Sequence, residues 1–198
     1  MLILSFIKYS NSKILFLCHE FGPYFPSCGT NLKPFGPLWS SSLTRFFPKI
    51  SANIDTLQEW VLLMNNTPAT SSIANYKLGI DLSSTGKYCV QFATLYSDTC
   101  LDSKEIDCRV DFQFRDASSN VLNSSKTFQY RDGQWILNNY EFIVETNKKM
   151  KPVLIGIIQH PDSFVEHEPI YIATKYILII NGSCQTRIDN RGELNVTF

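Results

Sequence analysis

The densest set of groups able to do chemistry in this sequence is His160-Pro-Asp-Ser-Phe-Val-Glu-His-Glu168, with two imidazoles and three carboxylates in one short segment. Imidazole nitrogens and carboxylate oxygens ligate borderline metals, and they also donate to and accept from a polar ligand such as a sugar hydroxyl. A metal site needs a fixed coordination geometry, which local charge alone does not supply. The segment is therefore read as a hydrogen-bonding surface in which His160, Asp162 and His167 contact a ligand, with no metal. The plainer alternative is a solvated connection between two strands, since loops run over the surface. Trp135, followed by Tyr140 and Phe142, adds a possible stacking platform for a sugar ring, and Tyr171 lies just beyond the His/Asp segment. The competing reading for Trp135 is core packing, because Trp is highly buried on average.

Other chemistries lack their residues. The sequence holds no Gly-x-Ser-x-Gly, no His-Glu-x-x-His, no Walker loop and no dinucleotide-binding glycine fingerprint. The remaining histidine, His19, is far from the other two. Asp98, Asp102, Glu105 and Asp107 offer oxygen ligands, but their spacing fits no calcium loop and reads as a solvated acidic loop. No cofactor is expected, and the reading is non-enzymatic. The 18 basic and 18 acidic side chains cancel, leaving no long-range field to attract a nucleic acid.

The elements that must position these groups are strands. Cys108, Val110, Phe112 and Phe114 alternate with Arg109, Asp111, Gln113 and Arg115. Tyr88, Val90, Phe92 and Tyr96 share one face of another stretch, and Tyr140, Phe142 and Val144 alternate against Glu141 and Glu145. Period-two alternation with one wet face is the pattern of an antiparallel sheet. Val153–Gln159 and Ile170–Ile180 are nearly continuous apolar runs, as expected of strands in the middle of a sandwich. Asp116–Asn120, Arg131–Gly133, Asn181-Gly182 and Asp189–Gly192 supply the Asp, Asn and Gly that tight turns require. Eight to ten strands are expected, with residues around 56–64 mostly strand. The fold class predicted is all-β: an antiparallel β-sandwich of jelly-roll type spanning 52–198.

Residues 1–51 read differently. Lys8, Lys13, Lys33, Arg45 and Lys49 face Glu20 alone, and prolines 23, 26, 34, 37 and 48 interrupt any regular element. The apolar runs 2–7 and 14–18 are too short for a membrane span and make a poor signal peptide. The segment is expected to be irregular and outside the main sheets. It could be a weak signal or the product of a misplaced start.

Six cysteines permit disulfides. Cys100 and Cys108, which bracket a short polar loop, are the best candidate pair; the alternative is buried free thiols in the cytosol. Sequons at Asn65, Asn123, Asn181 and Asn195 would be surface glycosylation sites in a secreted chain. The compartment is left as cytoplasmic or secreted.

The order Ile80-Asp81-Leu82, Thr85-Gly86-Lys87-Tyr88, Trp135, Phe142 and Ile170-Tyr-Ile-Ala173 resembles galactose-binding-like jelly rolls, including carbohydrate-binding modules. Ala173 stands where those folds commonly carry Asp. A narrower resemblance is to the F-box-associated domain, on Ile80-Asp81-Leu82, Tyr96, Asp107-Cys108, Val110–Phe114, Asn120-Val121-Leu122, Trp135 and His160. That family's Trp-x-Gly-x-x-Gly segment is missing, and no Leu-Pro-led F-box is visible in residues 1–50. The resemblance implies the fold and a binding role toward a glycan or glycoprotein, with ubiquitin-ligase components as partners in the adaptor version. The alternative is a structural or protein-interaction sandwich without a small-molecule ligand.

Overall fold

A computed structural model describes residues 8–9, 12–18, 39–43, 60–66, 72–78, 80–82, 85–97, 100, 106–126, 135–145, 149–159 and 170–184. These residues form eleven strands: β1 (Lys8–Tyr9), β2 (Ser12–Cys18), β3 (Trp39–Leu43), β4 (Trp60–Asn66), β5 (Ser72–Lys77), β6 (Gly86–Tyr96), β7 (Asp107–Arg115), β8 (Val121–Lys126), β9 (Ile136–Val144), β10 (Lys151–Gln159) and β11 (Ile170–Asn181). They divide into a seven-stranded sheet and a four-stranded sheet in the order β5-β10-β7-β8. Every strand pairing is antiparallel.

The long apolar strand β11 organises the larger sheet. One edge pairs with β6, which pairs in turn with β9. Its other edge is shared lengthwise: Ile170–Thr174 pair with β4, and Ile177–Asn181 with β2. The changeover falls at a β-bulge between Lys175 and Leu178, where Tyr176 takes a left-handed φ of 54°. The extra residue puts both Lys175, opposite Ala93, and Leu178, opposite Gln91, on the outer face.

The two sheets enclose an aromatic core. Tyr88, Phe92, Phe112 and Phe114 are fully buried, and rings meet between sheets at 4.8 Å for Phe114–Phe142 and 6.2 Å for Phe92–Phe112. The alternation read for 108–115 holds residue by residue: even positions are buried and odd ones partly exposed. One polar inlet enters this core. Asn138 Nδ2 donates to Thr94 Oγ1 at 3.0 Å and to the Ile136 and Phe92 carbonyl oxygens at 3.2 and 3.3 Å. Burial of such an amide is tolerable because it is hydrogen-bonded.

On the outside of the four-stranded sheet, Val153, Ile155 and Ile157 are buried as an aliphatic stripe. Arg109 flanks it in an ion pair with Asp107. Arg115 lies alongside, donating to Gln113 Oε1 at 2.9 Å and Asn75 Oδ1 at 3.3 Å. Long cationic side chains cover apolar surface with their stems in this way.

The expectation of an irregular N-terminus outside the sheets does not hold for the strands described there. Residues 12–18 pair with β11 and residues 39–43 with β4. The run Ile14-Leu-Phe-Leu-Cys18 is too short to cross a membrane but has the length of a buried strand, and Phe16 and Cys18 join the main core. Among the described residues, no helix is long and apolar enough to cross a membrane.

Candidate functional site

The outer face of the seven-stranded sheet is where apolar, aromatic and charged groups meet. Strand alternation puts Val61 and Leu63 of β4, Ala93 and Leu95 of β6, and Tyr171 and Ala173 of β11 on this face. Trp135, just before β9, completes one buried cluster with them. Trp135 and Tyr171 are therefore brought together, but they are only 6% and 7% exposed. Neither ring presents an open face to solvent, and the packing role of Trp135 is the one the geometry displays. Ala173, where jelly rolls of this type commonly carry Asp, is buried in the same cluster.

Two features separate this cluster from an ordinary core. Lys175 is buried at 3%, with its ammonium 4.6 Å from the centre of the Trp135 ring and 5.0 Å from that of Tyr176. A cation over an aromatic face is attracted by the ring quadrupole, more strongly once both are desolvated. In addition, Trp135 Nε1 is buried and makes no hydrogen bond. A donor in that position leaves hydrogen-bonding capacity unused.

Along the same face the surface becomes polar and opens. Buried Gln91 donates from Nε2 to Asn139 Oδ1 at 2.7 Å, and Asn139 is exposed. One pleat further, Glu141 lies opposite Cys89 in the sheet. Glu141 accepts from Lys87 Nζ at 2.6 Å and from the backbone N–H of Cys184 at 2.8 Å. The Lys87 hydrogen bond, then the Cys184 one, holds the Glu141 carboxyl below its ordinary value of 4.5. A disulfide between Cys89 and Cys184 anchors the chain after β11 to this part of the face. The result is a strip of amide, carboxylate and ammonium groups beside a buried aromatic cluster, suited to reading hydroxyl groups.

Of the ligand-contacting residues expected from sequence, His160, Asp162 and His167 lie outside the described residues. Chain connectivity alone places them between Gln159, the end of β10 in one sheet, and Ile170, the start of β11 in the other. The acidic residues 98, 102 and 105 are also outside, and among the described residues no cluster of metal-ligating side chains occurs. The expected Cys100–Cys108 pair is a disulfide. Cys89–Cys184 was not foreseen, because nothing in a separation of 95 residues marks two cysteines as neighbours. Gln91, Asn139 and Lys175 were missed too. A signal existed: Lys175 is the one cation inside the apolar run Ile170–Ile180.

No protein family and no curated protein matches this chain. Solved structures do. One holds the carbohydrate-binding module 22-1 and glycoside hydrolase 10 modules of endo-1,4-β-D-xylanase 10B from Clostridium thermocellum, in complex with xylohexaose. It matches at TM-score 0.52 and 12% identity, over 85% of this chain and 28% of that one. The CBM22-2 xylan-binding domain of Paenibacillus barcinonensis Xyn10C matches at TM-score 0.49 and 10% identity, over 84% and 99% of the two chains. A family 29 carbohydrate-binding module from Piromyces equi matches at TM-score 0.42 and 14% identity, over 88% and 94%. At such identities the likeness is one of fold: this chain is an antiparallel β-sandwich of the kind found in carbohydrate-binding modules.

Proposed function

We propose that the chain is a non-enzymatic recognition module for carbohydrate, acting in an oxidising compartment. The observation that carries the reading is the outer face of the seven-stranded sheet, where exposed Asn139, Glu141 and Lys87 follow one another along the face that also holds the Trp135–Lys175 cluster. Amide, carboxylate and ammonium groups together offer both donors and acceptors to sugar hydroxyls. Gln91 fixes the Asn139 amide, and Lys87 with the Cys184 N–H fixes the Glu141 carboxylate, so the polar atoms are held in place by rigid strands. That a two-module xylanase chain, whose matching part shares this fold, was solved with xylohexaose supports a glycan over other polar ligands. His160, Asp162 and His167 belong to the same proposal as a second contact region at the β10–β11 connection, with Tyr171, buried at the start of β11, as its support and not an open stacking face.

Compartment follows from sulfur chemistry. Cys18, Cys89, Cys100, Cys108 and Cys184 are all disulfide-bonded, and such bonds persist in secreted proteins and are rare in the cytosol. Oxidation supports a secreted module over an F-box-associated adaptor, whose ubiquitin-ligase partners work in a reducing environment.

A glycan array probed with the full chain, followed by titration calorimetry on any hit, tests this. Saturable sugar binding that weakens about 5- to 150-fold in Asn139→Ala or Glu141→Ala is expected, from ~1–3 kcal/mol per lost hydrogen-bonding group. Silence across the array would overturn the reading. It would favour the protein-interaction alternative, for which Ile143, Ile73, Val121 and Leu122 are the exposed large apolar side chains among the described residues.

A further inference from the structure

The fold treats its described sequons unequally. Asn65 lies within β4, in register with Tyr171 of β11. Asn123 lies in β8 opposite Phe114 and is half-buried. Its Nδ2, the atom a glycan would occupy, donates to the Ile143 carbonyl oxygen at 3.5 Å. Asn181 is also paired, with Tyr88 and Lys13, but it differs in position and exposure. It is the last residue of β11 and is exposed. The chain leaves the sheet immediately after it, through Gly182 at φ 122°, a conformation suited to glycine. The Gly182 N–H donates to the Lys87 carbonyl oxygen at 2.7 Å, and Cys184 then closes the disulfide to Cys89. The Asn181 amide oxygen lies beside Gly86, which carries no side chain to crowd it.

We propose that Asn181, in Asn181-Gly182-Ser183, is an N-glycosylation site. This rests on the oxidising-compartment part of the proposed function and not on glycan binding. In the step, Asn181 Nδ2 attacks C1 of the reducing-end N-acetylglucosamine of a lipid-diphosphate-linked oligosaccharide. A C–N bond forms and the C1–O bond to the diphosphate breaks. Its electron pair leaves with the lipid diphosphate, and the amide nitrogen gives up one proton to a base of the membrane transferase. No oxidant or reductant is involved.

The position is compatible with the candidate site. Asn181 is in register with Tyr88, whereas Lys87 and Glu141 project from the opposite side of the sheet. It is also at the other end of β11 from Tyr171, roughly 30 Å away at ~3.3 Å per residue. A glycan there covers the end of the sandwich and leaves both contact regions open.

The test uses the full chain secreted from eukaryotic cells, mapped by mass spectrometry under non-reducing conditions before and after peptide-N-glycosidase treatment. The expected result is a Cys89–Cys184 linked peptide in which Asn181 becomes Asp on deglycosylation. Asn181→Gln and Ser183→Ala should each remove that glycan mass. A formed Cys89–Cys184 link with unmodified Asn181 would overturn the site itself. Free thiols at both cysteines with unmodified Asn181 would overturn the compartment on which it depends. Occupancy of Asn123 with Asn181 bare would show that exposure and turn geometry do not select the sequon, and would also overturn the proposal.

Discussion

The two faces of the seven-stranded sheet bury side chains equally well with different chemistry. The inner face packs Tyr88, Val90, Phe92 and Phe142 against the aromatic rings of β7. Its polar inlet, Asn138 and Thr94, is internally bonded. The outer face buries Cys89, Gln91, Ala93 and Leu95 on the same strand β6. There a lysine stacks on a tryptophan, an indole N–H makes no hydrogen bond, and a disulfide crosses to the segment after β11. The inner face closes an aromatic core, though it too buries one unbonded polar atom, Thr174 Oγ1, opposite Thr94. The other mixes charge, amide and ring.

The largest expected effect separates core from cluster. Phe114→Ala removes a ring packed against Tyr88, Phe112 and Phe142 and should cost about 3–5 kcal/mol in denaturant unfolding. Trp135→Ala should fall in the same range if the outer cluster is a second core. A loss below about 1 kcal/mol there would break the equivalence of the two faces.

Removing the outer-face disulfide comes next. Chain entropy makes a crosslink across 95 residues worth about 4.7 kcal/mol, and one across 8 residues about 2.5 kcal/mol. Cys89→Ser with Cys184→Ser should therefore lower stability more than Cys100→Ser with Cys108→Ser. The reverse order in chemical denaturation would show that the short loop holds the sheets together.

A double-mutant cycle of Lys175→Met and Trp135→Leu should show about 0.5–2 kcal/mol of coupling, the range for a cation over an aromatic ring. Coupling near zero would reduce the outer face to apolar packing.

The smallest effect is in pH. Glu141 is held below its ordinary carboxyl value by Lys87 and the Cys184 N–H, so the unfolded chain takes up a proton before the folded one does as pH falls. The stabilisation is present above the ordinary value and is lost as pH drops through the lowered folded one. Glu141→Gln should flatten this part of the stability profile, and an unchanged profile would remove Glu141 from the polar strip.

The inner face was legible and the outer face was not, for one physical reason. Phe112 and Phe114 alternate with Gln113 and Arg115, so their direction is written in period two. Along β11 both faces are buried, and the run Ile170–Ile180 shows no alternation that would tell Ile172 from Ala173. The bulge at Tyr176 then shifts the parity of everything after it, and no residue pattern announces it. Strands β2 and β3 went unread for a related reason, since prolines beside them suggested irregular chain. Pairing distant in sequence, such as Cys89 with Cys184, depends on the closed topology and not on local composition.

The shared edge of β11 has a consequence for how the chain acquires its fold. Strands β2 and β4, from early in the sequence, have no β11 beside them until residues 170–181 emerge. Synthesis must therefore reach β11 before the large sheet can be completed. Contacts this distant require loop closure before any of them is rewarded, which places the chain among slow folders. During the wait, early strand edges stand unpaired and prone to adventitious strand pairing. A chain truncated before Ile170 would lose the strand that joins its N-terminal third to its middle, and should accumulate as aggregate instead of as a smaller sandwich.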